Sequence, residues 1–66
     1  MIKTLTLHQA SKYLRDRGLS LCSDTLADGL EQGVYPFGVC IRTGRSRVFQ
    51  IFKRKLDLWI EEVDED

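Results

Sequence analysis

Leu7, Ala10, Tyr13 and Leu14 recur at the three- and four-residue spacing of a single helix face. Ahead of them, Thr6-Leu7-His8-Gln9 has the form of a capping box. The Thr6 hydroxyl can accept from the Gln9 amide while the Gln9 side chain reaches back to the amide of Thr6. Leu5, just before the cap, is placed to staple onto Ala10. The pattern predicts a helix over about residues 7–17, stopped at Gly18, with Arg15 and Arg17 near the end where the helix dipole favours cations. Leu26 and Leu30, with Ala27, supply the apolar side of a second helix from about Ser23 to Gln32. Asp24 suits its first turn, Gly33 closes it, and Pro36 forbids continuation. Gly29 inside it costs about 1 kcal/mol relative to Ala, a cost with a purpose if the missing side chain lets a neighbour pack closely.

The period then changes from helical to two. Val39 and Ile41 alternate with Cys40, and Phe49 and Ile51 alternate with Gln50, which predicts strands over Phe37–Arg42 and Arg47–Phe52. Thr43-Gly44-Arg45-Ser46 between them reads as a glycine-containing hairpin turn of about four residues. Leu56, Trp59, Ile60 and Val63 restore the helical period and predict a third helix over about Lys53–Val63, with Trp59 in the core rather than at a site. The expected fold class is α+β: two helices, a β-hairpin and a C-terminal helix in one domain over residues 1–63, followed by a frayed acidic tail at 64–66. Two short helices before a two-stranded wing suggest a small winged helix-turn-helix. No linker, repeat or low-complexity tract interrupts the order.

Composition narrows the function classes. A chain of 66 residues buries only about 60% of its unfolded surface, so its core is thin and a deep catalytic pocket is not expected. With 42% hydrophobic residues and no net charge, the chain lacks the signature of disorder. No apolar run approaches the roughly 20 residues of a membrane span, and the opening MIKTLTLHQ has no secretory apolar stretch; the expected location is cytoplasmic, by default. Cys22 and Cys40 are too few for a disulfide scaffold and form no CxxC or Cys/His cluster, so they are read as two reduced, partly buried thiols, with a disulfide between them as the alternative, and no metal site is expected. The single histidine, His8, has no tie to either cysteine and is read as solvated or partly packed. No Ser/His/Asp arrangement or glycine-rich phosphate loop is visible, so neither enzymatic activity nor a cofactor or small-molecule substrate is expected.

Charge changes the picture more. The total is zero, but the net charge runs +3 over residues 1–20, −3 over 21–38, +6 over 39–55 and −6 over 56–66. A basic block of that size points to a polyanionic partner. Three of its members, Arg42, Arg45 and Arg47, gather at the hairpin tip. A helix can enter a DNA groove, and an arginine-bearing hairpin can reach phosphates or the adjacent minor groove.

At this point the chain resembles the excisionase-type DNA-binding domains, relatives of the MerR-like winged helices. The likeness rests on Leu5-Thr6 with Ala10 and Tyr13-Leu14 in the first helix, Leu30-Glu31-Gln32-Gly33-Val34-Tyr35-Pro36 at the end of the second, and Ile51, Lys53-Arg54-Lys55 and Leu56-Asp57-Leu58-Trp59-Ile60 after the wing. It covers about residues 5–61. The resemblance implies a DNA-bending factor in recombination or transcription, of the kind carried by phages and mobile elements, with double-stranded DNA and an integrase or recombinase as partners and no chemistry of its own. Two features depart from the family pattern. The connection through Arg15-Asp16-Arg17-Gly18-Leu19 is longer than usual. The positions of the second helix that should face DNA are Ser23, Asp24, Ala27, Asp28 and Glu31, whose three carboxylates repel phosphate and argue against major-groove reading.

The expected contacts are therefore Arg42, Thr43, Gly44, Arg45 and Arg47 of the wing, Lys12, Arg15 and Arg17 of the first helix, and Ser23 and Thr25 at the start of the second. This expectation requires that the wing arginines present positive potential not cancelled by nearby carboxylates. The alternative is a protein-interaction module whose Asp24, Asp28 and Glu31, together with the acidic tail, meet a basic partner.

Overall fold

The computed structural model describes residues 1–65. In chain order the elements are β1 (Thr4–Leu5), α1 (Leu7–Arg15), α2 (Ser23–Gln32), β2 (Gly38–Thr43), β3 (Ser46–Phe52) and α3 (Lys53–Val63). The three strands form one antiparallel sheet in the order β1-β3-β2. The fold is a small α+β arrangement of three helices and a three-stranded sheet. The acidic tail was expected from residue 64; Asp64 donates its amide to the Ile60 carbonyl at 2.9 Å, and residue 66 lies outside the described residues.

Local chemistry explains most boundaries. Both halves of the capping box form, Gln9 N–H to Thr6 Oγ1 at 3.1 Å and Thr6 N–H to Gln9 Oε1 at 3.0 Å. α1 ends two residues before the sequence pattern suggests. The amides of Arg17 and Leu19 both donate to the Leu14 carbonyl at 3.0 Å, tightening the chain into a turn in place of another helical turn. α2 has the expected bounds, and Gly33 at φ 75° supplies the left-handed stop. The hairpin is tighter than expected. Thr43 pairs with Ser46, leaving a loop of Gly44 and Arg45 alone. Gly44 has φ 60° and Arg45 is not in the left-handed region, the order of backbone signs that a glycine-first two-residue turn needs.

β1 was not expected. Thr4 pairs with Phe52 and Leu5 with Ile51, so the N-terminus closes the second side of β3. Ala10, Leu14, Leu26, Leu30, Phe37, Ile51 and Leu56 form the buried core, drawn from every helix, from β3 and from the segment entering β2. Leu5, Leu7, Cys40, Phe49, Trp59 and Ile60 pack around it. Ala27 is also buried, at 3% exposure, so it belongs to the apolar side of α2 and not to the outward set.

Strand register decides which hairpin residues face the helices. Cys40 sits opposite Phe49 and Arg42 opposite Arg47 on the covered side, while Val39, Ile41 and Val48 lie on the open side. Gly29 does what its absent side chain permits: a Cβ there would lie 2.2 Å from Cε2 of Tyr35. The Tyr35 ring, so admitted, stacks on Phe37 at 5.2 Å and meets Trp59 edge-on at 5.8 Å. This aromatic group joins α2, the entry to β2 and α3.

Candidate nucleic-acid interface

Two of the three hairpin arginines are not free. Arg42 pairs with Glu31 at 3.0 Å, and Arg47 pairs with Glu31 at 2.5 Å and with Asp28 at 3.5 Å. The Arg47 guanidinium also lies 5.2 Å from the centre of the Phe49 ring. Its hydrogen bond to Glu31 holds its pKa above the usual arginine value, and Asp28 adds to the shift. The cause is topological. Arg42 and Arg47 are register partners on the covered side of the hairpin, and Asp28 and Glu31 are one helical turn apart on α2, which packs against β2.

This corrects the expectation that the wing's positive potential stands uncancelled. An oppositely charged pair at contact distance acts at longer range as a dipole, and salt screens what remains over about 10 Å. Arg42 keeps a side-chain exposure of 71%, against 37% for Arg47, so Arg47 is the more committed of the two. Arg45, in the two-residue loop, has no ion pair among the described residues. Thr43 and Ser46 flank it as an exposed pair. The same pairing occupies two of the three carboxylates of the alternative protein-binding face. Asp24 remains exposed at the start of α2 with no ion pair among the described residues.

The basic residues of α1 divide in the same way. Arg17 turns back on its own helix. It donates to the Tyr13 carbonyl at 3.3 Å and its guanidinium lies 3.6 Å from the Tyr13 ring centre. Tyr13 in turn donates to Asp57 Oδ1, while Lys53 Nζ contacts Asp57 Oδ2 at 2.8 Å. The Lys53 and Tyr13 hydrogen bonds hold the Asp57 carboxyl below the usual carboxylate range. Asp57 likewise holds the Lys53 ammonium above its usual value. This group ties α1 to α3 and leaves Arg17 little to offer a partner.

Lys12 and Arg15 point the other way. With His8 and the carboxylate of Asp16 they line an open groove of about 410 Å³ whose far side is Cys22 and Ser23 at the start of α2. His8, Lys12 and Arg15 follow the i, i+4, i+7 spacing of one helix face. Ser11 sets the groove's shape. It is buried to 5% exposure, and its hydroxyl donates to the Leu21 carbonyl at 2.5 Å, fixing the connecting segment against α1 just before α2 begins. The groove thus brings the cations Lys12 and Arg15, with His8, to the helix end whose amides carry partial positive charge, alongside Asp16 on the wall and Asp24 in the first turn of α2.

The α2 cap is a cysteine. Both cysteines are free thiols, but only Cys40 is partly buried as expected; Cys22 is exposed because it caps a helix start at the surface, with Sγ 3.1 Å from Thr25 Oγ1. That hydroxyl is the chief influence drawing the Cys22 thiol below its usual pKa. Thr25, expected as a DNA contact, is thus engaged with the cap, whereas Ser23 lies on the groove wall. Sequence reasoning left His8 and Ser11 out of the site. The spacing of His8 relative to Lys12 and Arg15 was the available signal, and Ser11 gave none because its partner is a backbone carbonyl in a loop.

Among the described residues no group of three or more His, Cys, Asp or Glu side chains is arranged to hold a metal ion. No described helix is long and apolar enough to cross a membrane. The chain matches no protein-family model, no curated protein and no solved structure.

Proposed function

We propose that this protein is a small DNA-binding module of winged-helix type, docking on the phosphate backbone at two separate places. The first is the groove where Lys12, Arg15 and His8 meet the N-terminal end of α2 around Ser23. The second is the hairpin tip, where Arg45 projects between Thr43 and Ser46 and the Gly44 backbone allows close approach. Between these places Arg42 and Arg47 act indirectly. They neutralise Glu31 and Asp28, the carboxylates that would otherwise repel a duplex lying across α2. The reading is of the architectural kind that excisionase-type domains represent, in which shape and phosphate contacts dominate over base reading. A recombinase-like protein partner fits the same reading through the remaining surface.

The observation that carries it is the collection of Lys12, Arg15 and His8 at the amino end of α2, where these side chains and the backbone amides favour an anion against the opposing carboxylates of Asp16 on the groove wall and Asp24 in the first turn. A basic protein partner for α2 finds less to hold, since Asp28 and Glu31 already have cations.

Fluorescence anisotropy with a mixed-sequence duplex tests the proposal. The double variant Lys12→Glu/Arg15→Glu and the single variant Arg45→Glu should each weaken binding. Each lost phosphate contact should also reduce the salt slope by about 1. Unchanged affinity in the Lys12→Glu/Arg15→Glu variant would overturn the assignment of the groove.

A further inference from the structure

The charges of α3 run against its own dipole. Lys53, Arg54 and Lys55 occupy the first turn, where the helix end is already positive, and Glu61 and Glu62 occupy the last, where it is negative. No acidic residue lies in the first turn and no basic residue in the last. Against the helix dipole this order is unfavourable. Lys53 is used internally by Asp57, but Arg54, Lys55, Glu61 and Glu62 have no ion pair among the described residues. In the middle stands Leu58, a large apolar side chain 55% exposed to solvent.

These five residues share one face. Arg54, Leu58, Glu61 and Glu62 follow the i, i+4, i+7, i+8 positions of a helical stripe, with Lys55 at its margin. They are also symmetric about Leu58. Arg54 and Lys55 lie four and three residues before it, and Glu61 and Glu62 lie three and four residues after it. A second α3 laid antiparallel on the first, with a two-fold axis at Leu58, brings Leu58 onto Leu58. On one flank Arg54 comes level with Glu61 of the other copy to within one residue's rise, about 1.5 Å. On the other flank Lys55 meets Glu62 in the same way. The symmetry repeats both contacts, so four attractive pairs surround one apolar contact and no like charges oppose each other. In a parallel arrangement basic would face basic and acidic would face acidic.

We infer that the solvent face of α3 is a self-complementary docking surface for a second copy of this chain, joined as an antiparallel, two-fold symmetric helix pair. The helix has 11 residues, about 16 Å of length. Such a contact is smaller than the roughly 1,000 Å² of a stable biological interface, so it belongs to the weak, concentration-dependent class. Two modules paired in this way would present two sets of phosphate-binding residues to one duplex.

Sedimentation equilibrium on the full chain over about 10 µM to about 1 mM, at low and high salt, reads the association directly. The wild type should self-associate as concentration rises, and high salt should weaken it. Arg54→Glu/Lys55→Glu makes the face wholly acidic, and Glu61→Lys/Glu62→Lys makes it wholly basic. Each variant alone should be monomeric, with its dimer dissociation constant raised at least about tenfold. An equimolar mixture of the two should associate again, because each face now meets its opposite. Restoration on mixing also shows that neither variant had failed to fold. A wild type that stays monomeric throughout, variants that associate like the wild type, or a mixture that does not recover would each overturn the proposal. A wild type that stays monomeric while Arg54→Glu/Lys55→Glu loses affinity for duplex DNA would assign the basic end of α3 to nucleic acid instead.

Discussion

Replacing Gly29 by Ala should destabilise this protein, although the same change in a free helix is favourable. Helix propensity alone predicts a gain of about 1 kcal/mol. The structure predicts a loss, because the new Cβ would sit 2.2 Å from Cε2 and 2.6 Å from Cδ2 of Tyr35. Those atoms belong to a rigid ring held at 5.2 Å from Phe37 and 5.8 Å from Trp59, so the ring must leave as a unit. Two aromatic contacts at about 0.5–1.5 kcal/mol each are then lost, and forced repacking in a thin core costs about 1–3 kcal/mol. Net of the propensity gain, Gly29→Ala should cost roughly 1–5 kcal/mol, which at 4–8 °C per kcal/mol for a domain of this size lowers Tm by at least roughly 4–8 °C. Thermal unfolding followed by far-UV circular dichroism measures it. The decisive control is the same substitution in a Tyr35→Ala background, where the clash is gone and Gly29→Ala should stabilise by about 1 kcal/mol. A rise in Tm in the wild-type background would refute the claim that Gly29 exists to admit Tyr35, and with it the account of how α2 is set against the hairpin.

Two further outcomes follow from the Tyr13–Asp57 contact between α1 and α3 and from the cap of α2. Tyr13→Phe removes a donor to Asp57 and should cost about 0.5–1.5 kcal/mol by urea unfolding at pH 7. Because the folded Asp57 carboxyl lies below its unfolded value, the stability it contributes is present above about pH 4 and is lost as pH falls through the folded value; in Tyr13→Phe the carboxyl carbon of Asp57, followed by NMR, should titrate at a higher pH than in the wild type. Cys22, exposed at the start of α2 with its thiol drawn toward ionisation, should react with iodoacetamide faster than the half-buried Cys40, as read by peptide mass spectrometry. Equal rates would contradict the assigned cap environment.

Periodicity and caps made the helices legible. Thr6 and Gln9 announced the start of α1, and Ser23–Gln32 and Lys53–Val63 followed from apolar spacing and from Gly33. β1 was not legible because a two-residue strand has no alternation to detect, and its pairing with Phe52 and Ile51 spans most of the chain. Alternation in the hairpin gave two apolar sets without ranking them. Register placed Phe49 and Ile51 inward and left Val39 and Ile41 open, since Cys40 lies opposite Phe49 and Val39 opposite Gln50. The ion pairs of Arg42 and Arg47 had a trace in the sequence, an acidic segment directly before a basic one, but adjacency in sequence does not say which charges meet. The packing of α2 on β2 decided it, turning carboxylates expected to repel DNA into internal counterions.

The salt dependence of duplex binding tests the central claim most directly. A wing with all its arginines free, acting with α1, would make about five phosphate contacts and give a slope of log affinity against log salt near −4.5. With Arg42 and Arg47 held by Glu31 and Asp28, the contacts reduce to Lys12, Arg15 and Arg45, and the slope should lie near −3. A slope near −3 that falls to about −1 in the Lys12→Glu/Arg15→Glu variant is the result expected. A slope near −4.5, binding without salt dependence, or no binding at low salt would contradict the account.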